Sequence, residues 1–141
     1  MNRKGNNKLV LKILVVDNQT RITESLARAA FDSQECQIIT ATSVALAVFL
    51  ARKNFPNVIV SGVKNASDDL DLAREIKSDP ELAHIPIVIV SPTEDALIAS
   101  SARSAGAEKY LYPPLNEDQF FRELSPYLIE QKDDRPEETS E

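Results

Sequence analysis

Glycine and cysteine are scarce in this chain, and their scarcity removes whole classes of function. Only three of the 141 residues are glycine, and none follows the first strand-like run, Leu11 to Val16. Dinucleotide-binding folds place a glycine-rich turn there so that the backbone can approach a pyrophosphate. Phosphate-cradling loops need glycine for the same reason, so both readings fall away. Cys36 is the single cysteine, which leaves no internal disulfide and no cysteine metal cluster; it reads as a small apolar filler. His84 is the single histidine. With no second histidine or cysteine to join it, it reads as a solvated loop residue rather than a ligand or base.

Long apolar runs are missing as well. No segment approaches the roughly 20 apolar residues of a membrane span. Arg3, Lys4, Lys8 and Lys12 precede a short apolar stretch that Asp17 interrupts, without a small-residue cleavage site, so a signal peptide is not expected. The expectation is a cytoplasmic protein. What is present is the composition of an ordinary soluble domain, 43% apolar and 27% charged. A chain of this length suits one core that buries about 70% of the surface its unfolded form exposes.

Charge is unevenly placed. Residues 1–12 hold four basic and no acidic groups, residues 130–141 hold six acidic and two basic, and the middle carries the whole net charge of −6. An acidic core argues against nucleic acid, which binds to basic faces. The residues after Asp133 include no apolar side chain to bury, the pattern of a disordered tail. The expected division is a basic leader over 1–10, a domain over 11–130 and an acidic tail over 131–141.

Between the ends, strands and helices alternate. Leu11 to Val16, Gln37 to Ala41, Val58 to Ser61, Ile87 to Val90 and Lys109 to Tyr112 are short runs rich in β-branched residues, separated by segments of helical period. Ile22, Leu26 and Ala30 form one apolar stripe, Leu72 and Ile76 another, and Phe120, Leu124 and Leu128 a third. Gly106 is placed to cap the fourth helix in a left-handed conformation. Pro126 is expected to bend or end the last helix near Ser125. Five alternations point to an α/β fold, an open parallel sheet with helices on both faces. Periodicity goes no further than a doubly wound fold.

Motifs narrow it. Lys12-Ile13-Leu14-Val15-Val16-Asp17-Asn18 is a strand that ends in an acid and its amide. Ile76-Lys77-Ser78-Asp79-Pro80-Glu81-Leu82-Ala83-His84-Ile85-Pro86-Ile87-Val88 links a helix to a strand, and Gly106-Ala107-Glu108-Lys109-Tyr110-Leu111 turns into the fifth strand. In order and spacing, across about residues 11 to 130, these resemble the receiver domain of two-component response regulators. The resemblance implies a flavodoxin-like, doubly wound five-stranded sheet of strand order 2-1-3-4-5 with five helices. Cobalamin-binding relatives of that fold carry a ligand histidine in the first loop; Asp17-Asn18-Gln19-Thr20 has none.

The resemblance also implies a phosphorylation pocket, and here the chain departs from it. A receiver accepts a phosphoryl group on an aspartate at the end of the third strand, where this chain has Gly62. Magnesium is held by that aspartate and an acidic pair, of which Asp17 remains and Asn18 replaces the second member. The lysine expected before a proline after the fifth strand is Pro113. Magnesium requires hard oxygen ligands in tight octahedral geometry, so binding is expected to be weak or absent. Two switch positions match the family, Ser91 at the end of the fourth strand and the aromatic Tyr110. Ser61 is adjacent to Gly62, but alternation turns it to the other face. Asp68, Asp69 and Asp71 read as acids that start the third helix.

The expected function is therefore a pseudo-receiver, without enzymatic activity or cofactor, that recognises a signalling protein. Its contact surface, by resemblance, lies on the fourth helix, fifth strand and fifth helix, with Arg103, Lys109 and Tyr112. The uncharged run Val44 to Ala51 adds a second patch: if Ala47, Val48 and Ala51 face the core, Leu46 and Phe49 point outward together, toward a partner or a second copy. Two alternatives stand beside this reading. One is a receiver phosphorylated at an unusual residue; the other is a flavodoxin-like domain that binds a small ligand at the strand ends.

Overall fold

The computed structural model describes residues 11–17, 22–31, 36–62, 66–92 and 94–128. The leader over 1–10, the tail over 131–141 and Asn18 lie outside the described residues. Strands β1 (Leu11–Val16), β2 (Cys36–Ala41), β3 (Val58–Ser61), β4 (Ile87–Val90) and β5 (Lys109–Leu111) alternate with helices α1 (Ile22–Ala30), α2 (Val44–Asn54), α3 (Ala66–Ser78), α4 (Ala96–Ala105) and α5 (Glu117–Leu128). The five strands form one parallel sheet in the order β2-β1-β3-β4-β5, which is the flavodoxin-like arrangement expected.

Strand alternation divides the core into two halves. Ile13 and Val15 of β1, with Val58 and Val60 of β3, pack against Ala27, Phe31, Phe120 and Leu124 from α1 and α5. Leu14, Val16 and Ile59 point the other way, into a cluster with Ala47, Val48 and Ala51 of α2, Leu72 and Ile76 of α3 and Ala102 of α4. Strands covered on both sides account for the unbroken apolar runs. Ring contact between Phe31 and Phe121, with centroids 5.2 Å apart, joins α1 to α5.

Helix ends follow local chemistry. Ser43 caps α2 by accepting from the Leu46 amide at 3.1 Å, and Asp95 caps α4 by accepting from Leu97 and Ile98. Asn116 and Gln119 exchange backbone-to-side-chain hydrogen bonds at the start of α5, a reciprocal box. Gly106 ends α4 at φ 107°. Phe55 ends α2 in the same left-handed region at φ 47°, although that region favours glycine.

In α1 the expected Leu26 and Ala30 are half-buried and pack against the core, beside the fully buried Thr23, Ala27 and Phe31, and the side chain of Ile22 lies outside the described residues. Of the two outcomes expected at Pro126, a bend or an end near Ser125, the end needs correction. Helix α5 runs through Pro126 to Leu128, whose side chain is buried beside those of Phe120 and Leu124. Proline removes one helical hydrogen bond, and burial of the last turn holds the helix against that loss. Among the described residues no helix is long and apolar enough to cross a membrane.

Candidate functional site: a refilled pocket at the strand ends

The carboxyl ends of the strands meet at one edge because pairing continues one residue past each. The Asp17 amide donates to Ala41 O at 3.0 Å, the Gly62 amide to Val16 O at 2.8 Å and the Ser91 amide to Leu111 O at 2.8 Å. Asp17, Gly62 and Ser91 thus stand side by side above β1, β3 and β4.

Asp17 is buried, and its Oδ2 accepts from the amides of Thr23 at 3.0 Å and Glu24 at 3.4 Å. The carboxylate therefore satisfies free donors in the first turn of α1, where the helix dipole favours negative charge. Thr23 is consequently drawn against the sheet. A Cβ placed on Gly62 would lie 2.9 Å from Thr23 Cβ and 3.3 Å from Thr23 Cγ2, with the hydroxyl nearer still. Because Thr23 Cβ is itself too close, turning its χ1 does not open the space. The φ of Gly62 lies outside the left-handed region, so glycine is needed here for room, not for conformation.

On the opposite face of β3, the Ser61 hydroxyl donates to Asp69 Oδ1 of α3, and both residues are buried. Asp69 does lie in the first turn of α3, but its carboxylate reaches the strand end. Sequence reasoning missed this pair and the role of Thr23. A clue to the latter was available, since Thr23 follows six residues after a strand-terminal acid.

Ser91 is buried. Tyr110 is half-buried against the α3–α4 side of the core, its ring centroid 6.0 Å from that of Tyr112. The Pro113–Pro114 peptide is cis, and both residues are exposed. Lys109 does not extend to the strand ends. Its ammonium bonds Glu123 Oε1 at 2.6 Å and the Glu123 carbonyl at 3.2 Å, and lies 5.8 Å from the Tyr127 ring centre. Among the described residues no three His, Cys, Asp or Glu side chains converge as a metal site would require.

Beside β5, between α4 and α5, runs an open groove of about 590 Å³. Arg103, Lys109 and Tyr112 line it together with Glu94, Glu108 and Glu123. A hydrogen bond to the Glu94 carboxylate raises the Tyr112 phenol above its usual pKa. Leu46 and Phe49 lie elsewhere, exposed on α2. Burial pushes the Cys36 thiol upward.

No family model matches the chain. The polar-differentiation response regulator DivK of Brucella ovis is 26% identical over 117 residues, spanning 82% of this chain and 94% of that protein. A response regulator from Chloroflexus aurantiacus superposes with a TM-score of 0.76 at 19% identity, over 85% of this chain and 98% of the other. The receiver domain of a sensor histidine kinase from Pseudomonas aeruginosa, with magnesium in its active site cleft, gives 0.70 at 20%, over 85% and 98%. The chain has the receiver fold of two-component response regulators and is similar along most of its length to a response regulator.

Proposed function

We propose that the domain is a receiver-type signalling module that works without phosphotransfer, recognising a protein partner in one constitutive form. The observation that carries this reading is the contact between position 62 and Thr23. An acyl phosphate needs a carboxylate where this chain has bare backbone, and the volume that carboxylate would fill belongs to Thr23. Weak or absent magnesium binding is part of the proposal: Asp17 Oδ2 is engaged by two amides, and position 62 contributes no oxygen to an octahedral set. No catalytic function is assigned.

Recognition is placed on the groove between α4, β5 and α5. Its mixture of exposed aromatic edge and opposite charges, Tyr112 and Arg103 beside Glu94 and Glu108, suits a polar, oriented protein contact. A cytoplasmic signalling protein is the partner class. The test is capture of a partner from native extract by the full chain, with and without a small phosphodonor. Equal capture in both conditions, reduced by Arg103→Glu and Tyr112→Ala, supports the reading; capture that depends on the phosphodonor overturns it.

A specific feature keeps phosphorylation at another residue as a second reading: Asp69 of α3 accepts a hydrogen bond from Ser61, the residue next to Gly62. Its burial argues against access by a phosphodonor. A phosphoryl group mapped to Asp69 would favour this alternative.

A further inference from the structure

We propose that the groove between α4, β5 and α5 takes a basic segment of a protein partner, whose lysine or arginine is anchored by the Glu94 carboxylate and the Tyr112 ring. The proposal rests on the reading of this groove as the recognition surface and names the chemistry it recognises.

The chain builds one such anchor for a cation of its own. At the start of β5 the Lys109 ammonium lies 2.6 Å from Glu123 Oε1 and 5.8 Å from the centre of the Tyr127 ring. The carboxylate supplies opposite charge and the ring face its quadrupole, and each attracts a cation. Glu94 and Tyr112 bring the same two groups together in the groove, since the phenol is hydrogen-bonded to the Glu94 carboxylate. A phenol is a neutral donor, so the bond fixes the carboxylate beside the ring and leaves its charge in place. Among the described residues no lysine or arginine pairs with Glu94 or stacks on the Tyr112 ring. Tyr110, its ring centroid 6.0 Å from that of Tyr112 and its plane tilted by 47°, adds a second ring to the groove.

Charge selects the occupant. Glu94, Asp95, Glu108 and Glu123 line the groove against Arg103 and Lys109. Lys109 is paired with Glu123, Glu108 with Lys77, and Asp95 caps α4. Arg103 sits about two turns further along α4 than Asp95, where its guanidinium contacts Ala99 O at 3.4 Å. The Glu94 carboxylate is therefore the uncompensated charge at the Tyr112 end. With a net charge of −6 on the chain, a basic segment is drawn toward this surface and an acidic one repelled. Leu97, 81% exposed one residue on from Ala96, offers apolar surface to the methylene stem of a lysine or arginine.

Amide NMR of the full chain titrated with a short oligoarginine peptide tests this. Saturable shifts are expected at residues 94–99 and 110–112, and an oligoglutamate peptide should produce none there. Glu94→Gln and Tyr112→Leu should each weaken binding about two- to fivefold. Tyr112→Phe keeps the ring and should lose less than Tyr112→Leu. Glu75→Gln removes an exposed acid of α3 and should change nothing; the dispersion of each spectrum shows that the variant is folded. Shifts spread over the whole acidic surface, equal weakening by Glu75→Gln, or binding indifferent to Glu94→Gln and Tyr112→Leu would overturn the proposal. The wider reading fails separately. Partner capture that needs a phosphodonor overturns that reading whatever the peptide does, whereas capture reduced by Arg103→Glu but kept in Glu94→Gln retains the groove and overturns the cationic anchor.

Discussion

Thr23 occupies the space that a side chain at Gly62 would need, with Thr23 Cβ 2.9 Å from the position of the missing Cβ. The bare backbone at position 62 and the seat of Thr23 are thus one packing arrangement. Substituting Gly62→Asp is expected to destabilise the domain by about 1–3 kcal/mol through overpacking. Thr23→Gly should recover part of that loss in the double variant. Urea denaturation of the four proteins measures the coupling, and additive effects would show that the two sites do not share the space.

Asp17 is expected to act as a helix cap. Asp17→Ala should cost about 1–2 kcal/mol, with the loss appearing as earlier amide hydrogen exchange in the first turn of α1. Equal stability of the variant would remove the capping role.

The Arg52–Asp79 pair gives a pH-dependent signature. Its hydrogen bond to Arg52 holds the Asp79 carboxyl below its ordinary value of 3.8. A depressed carboxyl stabilises the fold above the unfolded pKa, and that stabilisation is lost as pH falls through the folded one. Arg52→Met should therefore move the Asp79 titration upward, read by carboxyl carbon NMR shifts. The stability gap between the proteins should close in acid below the native titration.

Lys77 pins α3 to the turn before β4. Its ammonium donates to the carbonyls of Ala83 at 3.0 Å and Ile85 at 2.8 Å and meets Glu108 Oε2 at 3.3 Å. Charged hydrogen bonds of this kind contribute roughly 1.5–3 kcal/mol, so Lys77→Met is expected to lower stability by an amount in that range. Thermal unfolding checks it.

Phe55→Gly is expected to raise stability by about 0.5–1 kcal/mol by relieving the left-handed conformation. Thermal unfolding of the two proteins measures it, and equal or lower stability would show that the left-handed conformation carries no strain.

Strand positions and sheet order were legible because they rest on local pattern and chain order. Burial of Ala47, Val48 and Ala51 was likewise legible from the period of α2. The seat of Thr23 was not: it looks like the polar start of a helix, and only its approach to Gly62 shows what it packs against. Asp69 was read as a capping acid because first-turn acids usually are, but its reach to Ser61 depends on how α3 sits over the sheet. That α5 runs past Pro126 was not legible either, because it depends on the burial of Leu128.

The most direct test of the proposal that the domain works without phosphotransfer is intact-mass spectrometry of the full chain after incubation with a small phosphodonor and magnesium. An unchanged mass is the outcome expected from a pocket that holds Thr23 and no acceptor carboxylate. A stable added phosphoryl group would contradict the account.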